Sequence, residues 1–479
     1  METTNFGIAI MAAGKGTRLK SRRPKVLHEI GGQSLLLHVI AAAKTIAPAS
    51  HIYCIVGHEA DSVRAAVAST GVSFVLQPEQ RGTGHALQQL KAHFAAIGQT
   101  PPENLLVLSG DVPLIKPSTL RALCAFHLAE RAAMTILTAV PPDPTGYGRV
   151  LRKDTQKDTQ SVEVRSIVEQ KDLKPGDDTS PEINSGIYCF QTAALFSNLD
   201  RLSNQNASGE FYLTDIAALL VSNHERVVAL KSSNAIDEVL GANTIEEMMH
   251  LDAAMRLATA RRLMAHGVTI FRPETSVIDA QVHVGPDTIL EPYVQLLGNT
   301  TIGSGCRIAS YTVITNAHIG DNVLLRNGCI VAESSIADGA KLGPYAHLRP
   351  GSQIGEEAHI GNFVETKNAK VGKGSKANHL AYLGDTTIGS GANIGAGTIT
   401  CNYDGTHKHP TQIGDNVFVG SNSTLVAPLT IGEGAYIAAA SCITQDVPAD
   451  ALALGRSRQT TKPGWVSARK KRTQSKPCE

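Results

Sequence analysis

Aromatic side chains are scarce in this chain of 479 residues, 4% of the total with a single Trp, so the interior has to be filled by Ile, Val and Leu. Charge of one sign is also missing: 44 Lys and Arg against 43 Asp and Glu give a net charge of +1. Such a surface sets up no field that gathers nucleic acid or an anionic membrane, and ligands have to be sought in local sites. The eight cysteines stand singly, at 54, 124, 189, 306, 329, 401, 442 and 478. None forms a Cys-x-x-Cys pair for zinc or dithiol chemistry, and scattered thiols belong to a reducing, cytosolic setting. No long apolar run opens the chain: METTNFGIAIMAAGKG lacks a charged start and is broken early by glycine, unlike a signal peptide or a membrane span. A soluble cytoplasmic protein with no membrane partner is expected.

What the chain does have is a period of six. Ile413, Val419, Leu425, Ile431, Ile437 and Ile443 recur without a slip, four of the six are followed by Gly or Ala, and Ile336, Leu342, Leu348, Ile354 and Ile360 repeat the pattern upstream. This is neither the period of a helix nor that of a lone strand. It is the period of hexapeptide repeats, in which the chain winds as a three-walled prism, aliphatic residues inward and small residues beside the turns. Stacked coils of about 18 residues would bury a continuous apolar column, and residues 276 to 447 would supply nine or ten of them.

The first half reads differently. Short aliphatic runs at Phe6–Met11, Ile52–Val56 and Leu105–Leu108 alternate with helical faces such as Leu35–Ala43 and Ala86–Phe94, the pattern of an α/β domain with a mostly parallel sheet. At this length two or more domains are expected. Met248, Leu251, Met255, Leu263 and Met264 fall near helical spacing and predict a connecting helix. The expected organisation is an α/β domain over 1–243, a linker helix over 244–270, a prism over 271–465 and a basic tail over 466–479. That tail, with Arg469 to Arg472, is expected to be disordered and solvated rather than a nucleic-acid patch.

Ligands of such sheets gather at the carboxyl ends of strands. After the first strand comes Ala12-Ala13-Gly14-Lys15-Gly16-Thr17-Arg18, then Pro24-Lys25. Glycines there let backbone N–H groups approach phosphates, and Arg18 and Lys25 add the charge a nucleoside triphosphate needs. The Walker A spacing and the third glycine of the dinucleotide fingerprint are both absent. Alone, this loop is also what an ordinary βα turn looks like. Gln77-Pro78, Arg81-Gly82-Thr83-Gly84-His85 and Ser109-Gly110-Asp111 accompany it, and Asp111, just beyond an apolar strand, is placed either to hold Mg²⁺ or to form a turn.

With Gly146-Tyr147-Gly148-Arg149, Glu169, Asn184-Ser185-Gly186 and Asn243, these strings resemble the nucleotidyltransferases that join a nucleoside triphosphate to a sugar 1-phosphate. Followed by a long hexapeptide prism, the arrangement is similar to the bifunctional N-acetylglucosamine-1-phosphate uridyltransferase/glucosamine-1-phosphate acetyltransferase family, over about residues 6 to 465. That resemblance implies a Rossmann-like α/β domain and a left-handed parallel β-helix. It implies uridine recognition by Ala12, Ala13, Gly14, Gln77, Gly82 and Thr83, Mg²⁺ at Asp111 and Asn243, and sugar contacts from Gly148, Glu169 and Asn184. Catalytic roles for Arg18 and Lys25 follow from the chemistry: a sugar phosphate oxygen attacks the α-phosphorus of UTP, pyrophosphate leaves, and alignment with charge neutralisation suffices. Ser109 stands where the family often has Tyr, and the polar stretch over 152–163, expected as a hairpin, is longer than usual.

In the prism, function is expected where the repeat breaks, at 372–384 and at 400–410. Asn402-Tyr403-Asp404-Gly405 is a strong turn former that would throw a loop outward. His379 suits the base that an amine needs as it attacks a thioester, though one of 17 histidines is equally a surface residue. The string Asn362-Phe-Val-Glu-Thr-Lys367, followed by Lys376, His379 and Tyr382, resembles the family and implies that His379 is catalytic. It further implies that Arg349 and Lys367 bind the phosphate of glucosamine 1-phosphate, and that Tyr382 and Asn393 contact the sugar. Ala396, Asn402, Tyr403, Ser421, Ala439 and Arg456 would line an acetyl-CoA site built between prisms of a homotrimer. Asn378 and Ala381 stand where Gly and Thr are common. The implied product, UDP-N-acetylglucosamine, feeds envelope polysaccharide synthesis. Two rivals are a nucleotidyltransferase whose prism only assembles subunits, and a non-catalytic regulatory subunit. A zinc prism enzyme using His347, His359, His407 and His409 does not fit their spacing.

Overall fold

The computed structural model describes residues 6–153, 162–177, 180–232 and 236–474. Two compact units divide the chain, Met1–Ala258 and Thr259–Glu479.

The first unit is built on strands β1 (Phe6–Ala12), β2 (Ile52–Val56), β3 (Ser73–Leu76), β4 (Asn104–Ser109), β5 (Met134–Ala139), β6 (Arg149–Arg152), β7 (Val164–Val168), β8 (Ile183–Gln191) and β9 (Val227–Lys231). Their order is β9-β5-β8-β4-β1-β2-β3, with the antiparallel pair β6 and β7 attached through β8. Alternate residues of β1 enter different cores: Ile8 and Ile10 pack with Leu36, Val39 and Ile40 of one helix, while Ala9 faces Leu87, Leu90 and Phe94 of another. Helices therefore cover both faces, which is why these strands are apolar throughout rather than alternating. β4, β1, β2 and β3 run parallel, but β8 runs antiparallel to both β4 and β5. The sheet is mixed yet mostly parallel, as expected: of the seven strands in this order only β8 runs against the rest. β6 and β7 flank the hairpin expected over 152–163, of which 154–161 lies outside the described residues.

Helix Ile245–Ala265 follows, spanning the division between the units. Beyond it every strand is two to four residues long, and the strands line up in three parallel sheets of 11, 10 and 9. Three sheets make the walls of a left-handed β-helix of ten coils, beginning with Thr269–Ile270. Leu290, Ile308, Leu325, Leu342 and Ile360 are fully buried on one wall, one above another. Segment 372–384 does not break the coil: Lys376–His379 and Tyr382–Gly384 pair in register with the coil below. The hexad only looks interrupted. Coils here step by 17 residues, from Asn362 to His379 for instance, and Thr366 occupies an inward slot between Leu348 and Leu383. The tail expected to be disordered contains helix Trp465–Gln474.

Two candidate active sites

In the first unit, the carboxyl ends of β1 and β4 and the residues just beyond β3 open into a cleft of about 560 Å³. Its lining includes Ala12, Ala13, Gly14, Arg18, Lys25, Gln77, Gly82, Thr83, Asp111 and Asn243, so ten of the residues singled out in the sequence meet in one place. Glycine is required at two turns. Gly16 has φ of 60° and a Cβ there would lie 2.6 Å from Cβ of Lys25; Gly82 has φ of 106° and a Cβ would lie 2.6 Å from the Phe211 carbonyl oxygen. Gln77 is buried, and its Nε2 donates to the Gly82 carbonyl at 3.1 Å, fastening the end of β3 to the start of helix Thr83–Ile97.

The charged groups converge. Arg18 Nη2 and Lys25 Nζ both donate to Asn243 Oδ1, at 3.1 and 2.9 Å, and Lys25 also pairs with the Asp111 carboxylate. A cation thus sits between two hard oxygens from loops far apart in sequence. That donor pair fits Mg²⁺, which takes one or two protein oxygens and completes its shell with water and phosphate. Among the described residues of the single chain no group of three or more His, Cys, Asp or Glu is placed to hold a metal ion.

Gly148, Glu169 and Asn184 form a second group beside this one. Asn184 N–H donates to the Gly148 carbonyl at 2.9 Å, and its Nδ2 donates to Tyr188 Oη at 2.8 Å. Glu169 Oε1 accepts the Thr214 hydroxyl at 3.0 Å, and a Cβ on Gly148 would lie 3.4 Å from Glu169 Oε2. Burial holds the Glu169 carboxyl above its ordinary range, the Thr214 bond opposing this. Burial, with the charges of Glu247 and Asp111, raises the pKa of Tyr147, next to Gly148, and Arg18 opposes this.

In the prism, His379 ends its strand directly over Asn362 of the coil below. Its Nδ1 lies 2.6 Å from Asn362 Oδ1, so Nδ1 carries the proton and Nε2 presents a free lone pair. From this corner the second wall runs across to the loop between Ile399–Cys401 and Thr411–Ile413. At that far edge Lys408 stands beside Lys367 and holds its ammonium below the ordinary value. Arg349 pairs with Glu365 at 3.0 Å on the same wall. Asp385 accepts from Asn368 and Asn402; burial alone would raise its carboxyl, and these bonds bring it below the usual range. The Tyr382 hydroxyl lies where a Cβ on Gly384 would meet it at 2.6 Å, so glycine makes room for that ring.

The residues assigned to acetyl-CoA split into two stretches. Gly397, Asn422 and Ala440 N–H donate to Leu380, Ala396 and Ser421 carbonyls, which stacks Ala396, Ser421 and Ala439 along the corner that carries His379. Arg456 Nη1 donates to the Ala439 carbonyl at 3.0 Å at the end of this row. Asn402 and Tyr403 belong instead to the projecting loop. There Asp404 accepts the His407 N–H, the His409 ring and the Thr406 N–H, which hold its pKa down to about 2. Asn393 lies on the first wall, above Lys376.

Residues 8–175 match the family model for the MobA-like NTP transferase domain, and 281–316, 333–368 and 410–445 match that for the bacterial transferase hexapeptide (six repeats). The chain is 60% identical over 476 residues to the bifunctional protein GlmU of Koribacter versatilis, covering 99% of each. It belongs to the bifunctional GlmU family. Within GlmU, the relatives of Trichlorobacter lovleyi and Solibacter usitatus are 46% and 47% identical, over 95% and 97% of this chain and 97% of each relative. As a GlmU protein the chain is an enzyme, with a nucleotidyltransferase half and an acyltransferase half. Among the described residues no helix is long and apolar enough to cross a membrane. Sequence reading gave no role of their own to Asn362, which stands in the quoted string, or to Lys408, which lies in the 400–410 segment. The 17-residue step that places Asn362 under His379 was a usable signal; nothing in the local sequence marks Lys408 as the neighbour of Lys367.

Proposed function

We propose that the chain makes UDP-N-acetylglucosamine in two steps at its two sites. In the prism, Arg349 and Lys367, joined by Lys408, hold the phosphate of glucosamine 1-phosphate, and Tyr382 and Asn393 hold the sugar. The amine attacks the thioester carbonyl of acetyl-CoA while His379 Nε2 accepts its proton and the CoA thiol leaves. Asn362 fixes the tautomer that makes this possible. Ala396, Ser421, Ala439 and Arg456 line the acetyl-CoA site along one corner, and Asn402 with Tyr403 reach it from the loop of an adjacent copy. A homotrimer is supported by exposed stacked rings along one prism edge, Tyr293 on Tyr311 and Tyr345 on Phe363, at centroid distances of 5.2 and 5.5 Å.

In the α/β unit the acetylated sugar phosphate displaces pyrophosphate from UTP. Backbone at Ala12 to Gly14, with Gln77, Gly82 and Thr83, binds uridine. Gly148, Glu169 and Asn184 bind the sugar. Arg18 and Lys25 neutralise the triphosphate, and the already ionised sugar phosphate needs no base. Asp111 and Asn243 would hold Mg²⁺, which supplies further charge neutralisation. The setting is cytoplasmic and the product feeds envelope polysaccharide synthesis.

The observation that carries this reading is the pair of complementary clusters in separate units of one chain: an imidazole with one nitrogen tied and the other free, and two cations converged on Asp111 and Asn243 at strand ends. The test is a coupled assay with glucosamine 1-phosphate, acetyl-CoA, UTP and Mg²⁺, run on wild type, His379→Ala and Asp111→Ala. CoA release is expected to fall by about 10²–10⁴-fold in the histidine variant alone. Pyrophosphate release from supplied N-acetylglucosamine 1-phosphate is expected to fall in the aspartate variant alone. Wild type that releases pyrophosphate but never CoA makes the prism a scaffold; wild type that releases neither makes the chain a regulatory subunit.

A further inference from the structure

Glu238 is 2% exposed, outside the cleft, and plays no part in the chemistry above. A buried carboxylate is costly unless its oxygens are engaged. Its Oε1 accepts the Lys116 N–H at 3.1 Å, and Lys116 Nζ lies 3.5 Å from Oε2. Lys116 is the residue before helix Pro117–Glu130, and the N–H at that position is ordinarily met by a Glu or Gln three residues on; here the acceptor comes from 122 residues away. The two segments that Glu238 joins are those that carry the metal-site oxygens. Lys116 ends the loop that begins at Asp111, and Glu238 lies five residues before Asn243.

Further ties act in the same place. Ala242 N–H donates to the Asp111 carbonyl at 3.2 Å, and a Cβ on Gly241 would lie 3.2 Å from Asp111 Oδ2. Thr244 and Glu247 cap helix Ile245–Ala265 reciprocally, and Glu247 Oε2 also accepts the Asn243 N–H at 2.6 Å. Asn243 is therefore held from its C-terminal side by the helix cap. From its N-terminal side it is held by the Ala242 bond to the Asp111 carbonyl and, further back, by Glu238.

We infer, resting on the assignment of Asp111 and Asn243 as Mg²⁺ ligands, that Glu238 is a positioning residue for uridylyl transfer: it cross-ties the two ligand loops and sets the gap between their oxygens. Loss of the tie lets the loops drift, which weakens metal binding without removing any group that touches substrate.

The experiment uses the full-length chain with Glu238→Ala, Glu238→Gln and Glu238→Asp, and Asp111→Ala as control. Mn²⁺ binding is read from the EPR signal of free ion, and the Mg²⁺ dependence of pyrophosphate release is measured beside it. Acetyl transfer by the prism serves as an internal standard for the concentration of chain, and the far-UV melting transition of the α/β unit shows whether that unit is folded. In Glu238→Ala the Mn²⁺ dissociation constant and the half-saturating Mg²⁺ concentration are expected to rise on the order of tenfold or more. At saturating Mg²⁺ kcat recovers, and KM for the sugar phosphate is unchanged. Glu238→Gln keeps an acceptor for the Lys116 N–H and stays within about threefold of wild type in metal affinity, a rescue a generic packing role would not show. Glu238→Asp, too short to reach, follows Ala and decides the matter if the Ala variant does not fold in the α/β unit. Unchanged metal affinity in Ala and Asp, or a kcat deficit that no Mg²⁺ concentration repairs, overturns the inference. If Asp111→Ala binds Mn²⁺ as wild type does, the metal assignment itself falls, whatever Glu238 does.

Discussion

Glu169 brings a carboxylate into a setting that disfavours its charge. Burial raises its pKa, and the negative charges of Asp215, Asp172 and Glu210 push the same way against the Thr214 hydrogen bond. A carboxyl whose folded pKa lies above its unfolded value, about 4.3, contributes stability that is full below that value and is lost as pH rises through the folded pKa. At neutral pH this carboxyl therefore contributes less to the fold than it does in acid, and under the proposed function it is there to hold the sugar. Glu169→Gln is accordingly expected to raise the melting temperature of the α/β unit at pH 7, and to make no difference below about pH 4, where wild type is protonated too. Uridylyl transfer is expected to suffer, with KM for N-acetylglucosamine 1-phosphate rising about 10–100-fold, the equivalent of one hydrogen bond to a charged acceptor. Calorimetry across pH with steady-state kinetics checks both halves. A variant that melts lower at pH 7, or whose stability gain persists in acid, would count against the buried-charge account.

At the scale of elements, the α/β strands and the prism were largely legible because burial writes a period into the sequence. The strand Ile52–Val56 and the helix Leu35–Ala43 fall where their apolar runs predict. What the period could not convey was direction: β8 is buried on both faces, just as a parallel strand would be, and only its pairing shows that it runs the other way. In the prism the hexad fades at Thr366 and Thr400, which fill aliphatic slots because their hydroxyls find partners inside, Ser352 for one and the Gly384 carbonyl for the other. The candidate site residues in motif strings were readable, whereas the placing of Asn362 under His379 and of Lys408 beside Lys367 depends on coil stacking and loop reach. The projecting loop was announced by Asn402 to Gly405, and its ends meet, His409 N–H donating to the Asn402 carbonyl at 2.8 Å. That closure gives a second prediction. The coil bearing the loop steps by 25 residues, from Thr386 to Thr411, and deleting Tyr403 to His409 restores a step of about 18. The prism is expected to keep its melting temperature within about 4 °C, the effect of about 1 kcal/mol in a unit of this size. Acetyl transfer, deprived of Lys408 and Tyr403, is expected to fall at least about a hundredfold in kcat/KM while uridylyl transfer is untouched. Retained acetyl transfer in the deleted chain would remove the loop from the site.

Across the whole molecule, the apolar interior is divided as the chemistry is. One core runs from Ala260 to Val447 through the prism, and two more, on the faces of the α/β sheet, draw on residues from Phe6 to Val239. Helix Ile245–Ala265 shares itself out: Ala260 and Leu263 belong to the prism core, while the units divide at Ala258. These cores share no residue, and cooperativity follows contact within a core. Heating the full chain is therefore expected to give two transitions, each answering to the ligand of one site. UTP with Mg²⁺ at a hundred times its dissociation constant stabilises the unit that binds it by about 2.7 kcal/mol. For a unit of some 250 residues that is a shift of about 5–10 °C, expected in one transition alone. Acetyl-CoA is expected to move only the other. Scanning calorimetry of wild type, Asp111→Ala and His379→Ala, with each ligand in turn, assigns the transitions, because Asp111→Ala should lose most of the UTP shift and keep the acetyl-CoA shift. A single transition that both ligands raise would mean that the two halves unfold as one body, and that a change at either site is felt as stability at the other.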